Sequence, residues 1–89
     1  MERCCALAAT AGLPVSPHVL PDLHIHLAAA FGDVIGLEMT DPAQGIEGMH
    51  QLLVRTLPIA GGMATAPEEP GLGCEIDWAA AERMARRWS

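Results

Sequence analysis

The stretch VSPHVLPDLHIHLAAAFGDVIGLEMT, residues 15–40, decides the fold because it places a helical pattern between two strand-like segments. The first strand-like segment is LPVSP, residues 13–17, which begins two residues before this stretch. It is short and apolar, as is typical of a buried strand that ends at Pro17. From Pro21, a residue allowed in the first turn of a helix, apolar residues recur at helical spacing. Residues 34–40 then form a continuous apolar run of strand length. This order predicts a βαβ unit with two parallel strands and therefore an α/β fold.

Two polar side chains stand at the carboxyl ends of these predicted strands. His18 follows the first strand, and Glu38 lies near the end of the second. Because parallel strands end at the same edge of a sheet, where such folds usually place their chemistry, we expect the two side chains to lie close together. Glu38 alone would be a solvated acid at a strand end. Its pairing with His18 favours a catalytic role for both.

The other histidines are assigned structural positions. The apolar stripe of the predicted helix consists of Leu20, Leu23, His24, Leu27 and Phe31. His24 is therefore expected to be a half-buried core residue, and His26 is expected to lie with Asp22 on the polar side. Since His24 and His26 are about 200° apart around the helix, they cannot chelate one ion from a shared face. A metal-binding module built from the histidines and cysteines is thus a disfavoured alternative, and His50 is assigned no role.

Composition restricts the classes of function. The chain has 89 residues, is 51% hydrophobic and carries a net charge of −6. An acidic chain is not suited to nucleic acid or to an anionic membrane, since both are bound through clustered Lys and Arg. No run reaches the roughly 18 apolar residues of a membrane span. Three cysteines without C-x-x-C spacing favour reduced thiols and a cytoplasmic protein.

The remaining segments are assigned from local signals. Gly12 is expected to end an N-terminal helix, and the glycine pair in LPIAGGMAT, residues 57–65, predicts a hairpin. Residues 66–73, APEEPGLG, are expected to form a loop with Glu68 and Glu69 solvated. Residues 77–89 predict a docking helix that begins at the N-cap residue Asp77. The apolar stripe expected on that helix is Trp78, Ala81, Ala85 and Trp88.

Taken together, these motifs resemble the C-terminal end of enolase-superfamily enzymes, in the mandelate racemase and acid-sugar dehydratase group. The resemblance covers nearly the whole chain and includes SPHVLPDLHIHLAAA, LEMT, the glycine-turn hairpin and PEEPGLG. Its most specific element is a histidine after the seventh barrel strand and a glutamate after the eighth, here His18 and Glu38. The related muconate-lactonizing group has lysines in place of this histidine, so His18 favours the racemase and dehydratase side.

The resemblance implies a fold and a chemistry. The fold would be the C-terminal portion of a (β/α)8 barrel, with residues 1–56 as its last βα units and residues 57–89 as the hairpin, loop and docking helix. The substrate would be a small carboxylate, a sugar acid or a 2-hydroxy acid, which loses its α-proton to give an enediolate beside Mg²⁺. His18 would be the general base, or the acid that helps a β-hydroxyl leave. Glu38 would hydrogen-bond the developing charge. Dehydratase and racemase both stay open.

The size of the chain leaves a second interpretation open. An eight-stranded barrel needs roughly 200 to 250 residues or more, whereas this sequence predicts about two barrel strands. The Mg²⁺ ligands of the family are expected outside this chain, so the chain alone should be inactive and should bind no metal. Its partners would be the missing barrel and the capping domain, in an oligomer. Alternatively, the chain is a truncated, noncatalytic remnant that associates with itself or with a companion chain.

Overall fold

The chain forms a mixed arrangement of helices and short strands, in agreement with the predicted α/β class. The computed structural model describes residues 1–46 and 48–88. Its elements in chain order are α1 (Glu2–Thr10), α2 (Pro21–Ala30), a 3₁₀ helix (Pro42–Gln44), a second 3₁₀ helix (Met49–Leu52), β1 (Ile59–Ala60), β2 (Met63–Ala64) and α3 (Trp78–Trp88). None of the helices in these described ranges is both long enough and apolar enough to cross a membrane.

Helix α1 ends at the predicted glycine. Gly12 has a φ of +65°, and the N–H groups of Gly12 and Leu13 donate to the carbonyls of Ala9 and Ala8. This pair of bonds is the Schellman arrangement, in which a left-handed residue satisfies the last carbonyls of a helix. The role of Gly12 is confirmed. On the same helix Cys5 is buried, whereas Leu7 is exposed.

The two segments around α2 meet through one parallel bridge, between Val15 and Val34. The Val15 N–H donates to the carbonyl of Asp33 at 2.8 Å, and the Ile35 N–H donates to the carbonyl of Val15 at 2.9 Å. The predicted parallel direction of the two segments is therefore confirmed.

The predicted length of the two strands is wrong. Residues 13–17 and 34–40 are fully described, and beyond the single bridge they form no continuous ladder. Pro14 and Pro17 lack the N–H that a ladder requires, so the first segment can contribute little more than the bonds of Val15.

Helix α2 begins at Pro21 as predicted, and its predicted stripe is half-buried except at Leu23, but the most deeply buried residues lie outside that stripe. Pro21 and Ile25 are its buried residues, one turn apart, whereas Leu23 of the predicted stripe is exposed. The reason lies in the composition of the helix. Its alanines, leucines and isoleucine lie on several sides of the helix axis, so hydrophobic spacing alone does not select the face that packs. His24 is half-buried, as expected.

The glycine pair forms the predicted hairpin. Strands β1 and β2 pair antiparallel, with Ile59 opposite Ala64 and Ala60 opposite Met63. The connecting residues Gly61 and Gly62 have φ values of +58° and +76°. Positive φ at both central positions is what a two-residue type I′ turn requires, and glycine adopts it without steric cost.

Helix α3 starts at the predicted cap and packs on the second 3₁₀ helix, Met49–Leu52. The Asp77 carboxylate accepts the N–H of Ala80 at 2.9 Å, so its role as N-cap is confirmed. The predicted apolar stripe is wrong at Trp78 and Ala85, which are exposed, whereas Ala80, outside the stripe, is buried. The side chain of Trp88 lies outside the described part of the chain.

The whole chain is more open than a self-sufficient domain of its size. Its radius of gyration is 15.0 Å, against about 12 Å for a compact chain of this length. Its accessible surface is 6617 Å², about 1,600 Å² more than expected for a folded monomer of this mass. Large apolar side chains such as Ile35 and Met63 are more than two-thirds exposed. The fold therefore presents apolar surface that other protein elements would cover.

From this open shape we expect the purified 89-residue chain to self-associate. Sedimentation or light scattering should show oligomers, and the thermal transition should shift with protein concentration because association covers the exposed apolar surface. A monomer that melts in a sharp transition independent of concentration would contradict this expectation.

Candidate functional site

The structure brings the two predicted site residues into contact. His18 Nδ1 lies 2.7 Å from Glu38 Oε2. The same carboxylate oxygen accepts the backbone N–H of Val19 at 2.9 Å. A histidine that donates from Nδ1 keeps its lone pair on Nε2 when it is neutral, so Nε2 is the atom able to accept a proton. This geometry suits acid–base chemistry, while the catalytic role of the pair stays a prediction.

The parallel bridge explains why these two residues meet. His18 comes three residues after Val15, and Glu38 comes four residues after Val34. Since the two segments run in the same direction from the bridge, both side chains arrive at the same end of it. The pairing of His18 with Glu38 therefore depends on the tertiary contact between Val15 and Val34 and not on local structure.

Directly after His18 the backbone takes an unusual turn. Val19 and Leu20 both have a φ of +48°, a left-handed conformation that costs a non-glycine residue on the order of 1–3 kcal/mol. Valine is especially unsuited to it, because its branched Cβ crowds the backbone. The two residues reverse the chain from the bridge into α2. Sequence reasoning missed this turn, since a Val-Leu pair carries no turn signal.

Two contacts from α2 hold the turn. His24 Nδ1 lies 2.8 Å from the carbonyl oxygen of Val19. The Leu20 carbonyl accepts the N–H groups of Leu23 and His24, each at 3.1 Å. His24 therefore contacts both turn residues, although its position in the sequence predicted only core packing.

Solvent exposure limits what the His18–Glu38 pair can do in this arrangement. The His18 side chain is 84% exposed and that of Glu38 is 45% exposed. Water screens an ion pair at such exposure and weakens the stabilisation of a developing negative charge. Efficient chemistry at these residues would therefore need further protein elements to cover them and exclude water.

The second histidine of α2, His26, has a partner that the sequence did not predict. His26 was expected on the polar, solvent side of α2, but its side chain is half-buried and its Nε2 lies 2.8 Å from the carbonyl oxygen of Leu72. The bond links α2 to the loop of residues 66–73, rich in proline and glycine and called the Pro/Gly loop below. Because 46 residues separate His26 from Leu72, no local sequence pattern could indicate it. His50 is half-buried and takes no part in the His18–Glu38 contact.

The described residues do not form a metal centre. Among residues 1–46 and 48–88, no group of three or more His, Cys, Asp or Glu side chains is placed to hold a metal ion. His24 and His26 instead hydrogen-bond to different carbonyl groups. Cys4, Cys5 and Cys74 are free thiols.

A second polar contact lies at the Pro/Gly loop. Arg55 and Glu69 form an ion pair at 2.6 Å, with both side chains more than half exposed. The backbone N–H of Glu69 itself, followed by the charge of Arg55, holds the pKa of the Glu69 carboxyl below its ordinary value of 4.5. Glu69 is exposed to solvent as expected, and in addition the fold brings Arg55 to it from 14 residues away, a contact that the sequence did not predict.

Comparison with known proteins identifies one family. A family model described as Enolase C-terminal domain-like matches residues 1–80. The matched range contains the parallel bridge, the Val19–Leu20 turn and the His18–Glu38 pair. No solved structure matches the chain.

The Arg55–Glu69 pair should make the stability of the Pro/Gly loop depend slightly on pH in the acid range. Since the pKa of Glu69 is lowered in the fold, the pair's contribution is complete above pH 4.5 and is lost as the pH falls through the lower folded value. The Arg55 guanidinium signals in an NMR titration should report this loss.

Glu69→Gln should remove the acid step, whereas Glu68→Gln should leave it unchanged. The change in thermal stability should be slight, because the pair is exposed. An identical titration of Arg55 in the Glu69→Gln chain would show that the step belongs to another group.

Proposed function

The chain belongs to the Enolase C-terminal domain-like family, and from that premise we propose that His18 and Glu38 are the acid–base pair of an enolase-superfamily active site. The observation that carries this proposal is the 2.7 Å contact between His18 Nδ1 and Glu38 Oε2. It joins two residues 20 positions apart at the end of a parallel bridge. The reaction would begin with removal of the α-proton from a small carboxylate substrate.

In this proposal His18 moves the proton. The lone pair of Nε2 takes the α-proton, and the electron pair of the broken C–H bond shifts toward the carboxylate, which gives an enediolate. In a racemase a proton returns to the α-carbon from the opposite face. In a dehydratase the electron pair of the enediolate expels the β-hydroxyl, which takes the proton from His18 Nε2 and departs as water, so that His18 returns to its neutral form. The geometry of His18 is compatible with either outcome.

Glu38 orients His18 and stabilises its charged form. Its Oε2 accepts from His18 Nδ1 and from the Val19 N–H, which fixes the plane of the imidazole and favours the cation formed after proton transfer. The family resemblance also gives Glu38 a hydrogen bond to the charge that develops on the substrate. Such a bond needs a donor, so Oε1 of Glu38 would carry a proton at this stage, while Oε2 still accepts from His18 Nδ1 and from the Val19 N–H.

The rest of the active site would come from elsewhere in the barrel. We propose that residues 1–56 are the last βα units of a (β/α)8 barrel and that residues 57–89 close it as hairpin, loop and helix. The superfamily generally uses Mg²⁺, but the described residues of this chain do not fit a magnesium site. The proton transfer above is therefore derived from His18 and Glu38 alone. The ligands would lie on the preceding strands, which with a capping domain would enclose the exposed pair. The free thiols suit the reducing cytoplasm.

A second candidate function is favoured by the open surface. The chain exposes about 1,600 Å² beyond the expectation for a compact monomer, roughly twice what one partner contributes to a standard interface. An apolar groove between α2, residues 34–39 and the hairpin is flanked by exposed Ile35 and Met63. A noncatalytic remnant that associates through this surface would have the same structure.

The two functions are separated by adding the other barrel strands that the first proposal requires. The 89-residue chain should be mixed with a polypeptide that supplies the preceding strands of a racemase or dehydratase barrel. Exchange of the substrate α-proton for deuterium in D₂O then detects proton abstraction, whatever the final product. We expect exchange in the complex and none with the chain alone. Self-association without exchange in any such complex would favour the remnant.

In an active complex, His18→Asn should lower the rate of α-proton exchange by about 10²- to 10⁴-fold, because it removes the base. Glu38→Gln should have a smaller effect, since the amide oxygen still accepts the His18 Nδ1–H. The control His50→Gln should retain full activity, because His50 takes no part in the pair. Loss of activity in the control together with retention in His18→Asn would contradict the assignment.

A further inference from the structure

The turn after His18 is made of two residues that disfavour it. Val19 and Leu20 are both left-handed, although neither is Gly, Asn or Asp, the residues that tolerate this conformation best. Strained backbone of this kind persists only where surrounding contacts fix it. The contacts around the turn therefore determine where His18 points.

The peptide groups of Val19 are fixed from two sides. On one side its N–H donates to Glu38 Oε2 at 2.9 Å. On the other side its carbonyl accepts the Nδ1–H of His24 at 2.8 Å. His24 thus contacts the residue next to His18, and that residue contacts the same carboxylate oxygen as His18 does. These bonds form a continuous path from His24 to the candidate site.

We propose that His24 is a positioning residue, whose Nδ1–H holds the Val19 carbonyl and thereby keeps the strained turn that presents His18 to Glu38. Its importance for turnover rests on the proposed function. Its effect on the His18–Glu38 contact rests on geometry alone and can be measured without substrate.

Two variants of His24 test the proposal, because one keeps a hydrogen-bond donor at the position of Nδ1 and the other does not. Asparagine carries its amide nitrogen close to the position of the histidine Nδ1 and can still donate to the Val19 carbonyl. Leucine fills a similar volume but has no donor. His24→Asn should therefore preserve the turn, while His24→Leu should release it, even though both variants remove the imidazole.

The measurement follows two local signals in the full 89-residue chain, labelled with ¹⁵N at histidine and valine. The ring nitrogen shifts of His18 report whether its neutral form carries the proton on Nδ1, as the contact with Glu38 requires. The exchange rate of the Val19 amide reports its bond to Glu38. In His24→Leu, we expect His18 to lose its Nδ1–H preference and Val19 exchange to rise about tenfold, the loss of roughly one hydrogen bond. In His24→Asn, both signals should stay near those of the unaltered chain.

His26→Leu is the matched control on the same helix. It removes the bond to Leu72 and should loosen the Pro/Gly loop without changing the His18 ring or the Val19 amide. Amide exchange in the hairpin, residues 59–64, shows whether each variant keeps the overall fold. If His24→Leu loses that protection, the smaller change His24→Ala is compared with His24→Asn instead.

The proposal is overturned if the donor-free variants keep both the His18 ring signal and the Val19 amide signal, or if His26→Leu alters these two signals equally. These outcomes are separate from failure of the proposed function. If no complex supports α-proton exchange but His24→Leu still releases His18, the positioning role stands and the catalytic assignment falls.

Discussion

The parallel bridge between Val15 and Val34 is the constraint on which the candidate site depends. It gives the two segments a common direction, so that His18 and Glu38 reach the same end although α2 separates them in sequence. With only a few backbone hydrogen bonds, the bridge is a small element. Its effect is large because a parallel pairing requires the whole crossover through α2 to fold back beside the first segment.

The exposure of the chain links its fold to its chemistry. Few apolar side chains are deeply buried, and the His18–Glu38 pair lies in contact with solvent. Both facts have one physical cause, since two short parallel segments, a few short helices and a hairpin are too few elements to enclose a core or a site. Added strands would cover the apolar groove and would also lower the dielectric around the pair, which strengthens its electrostatic interaction with a substrate. Under the proposed function, assembly and activity would therefore depend on the same surfaces.

The accuracy of the sequence predictions follows the range of the interactions involved. Gly12 ends α1, Pro21 begins α2 and Asp77 caps α3, as predicted, because each role depends on backbone chemistry within a few residues. The predicted stripe of α2 did not include its most buried residues, Pro21 and Ile25, because apolar residues lie on several sides of this helix and their spacing alone does not select one face. The prediction that Trp78 lies in the packed stripe of α3 was wrong for a related reason. Alanines occur on several sides of α3 and allow close packing on more than one face.

By itself, the sequence determined the helix boundaries, the hairpin, the parallel direction of the two segments and the choice of His18 and Glu38 as site candidates. Its motifs also carried the resemblance to the enolase superfamily that the family match confirms. Only the tertiary structure decided the left-handed turn at Val19 and Leu20 and the partners of His24, His26 and Glu69. The physical reason is that turns, caps and periodicity are encoded by neighbouring residues, whereas a strained turn and a hydrogen bond across 46 positions exist only when the rest of the fold holds both ends in place.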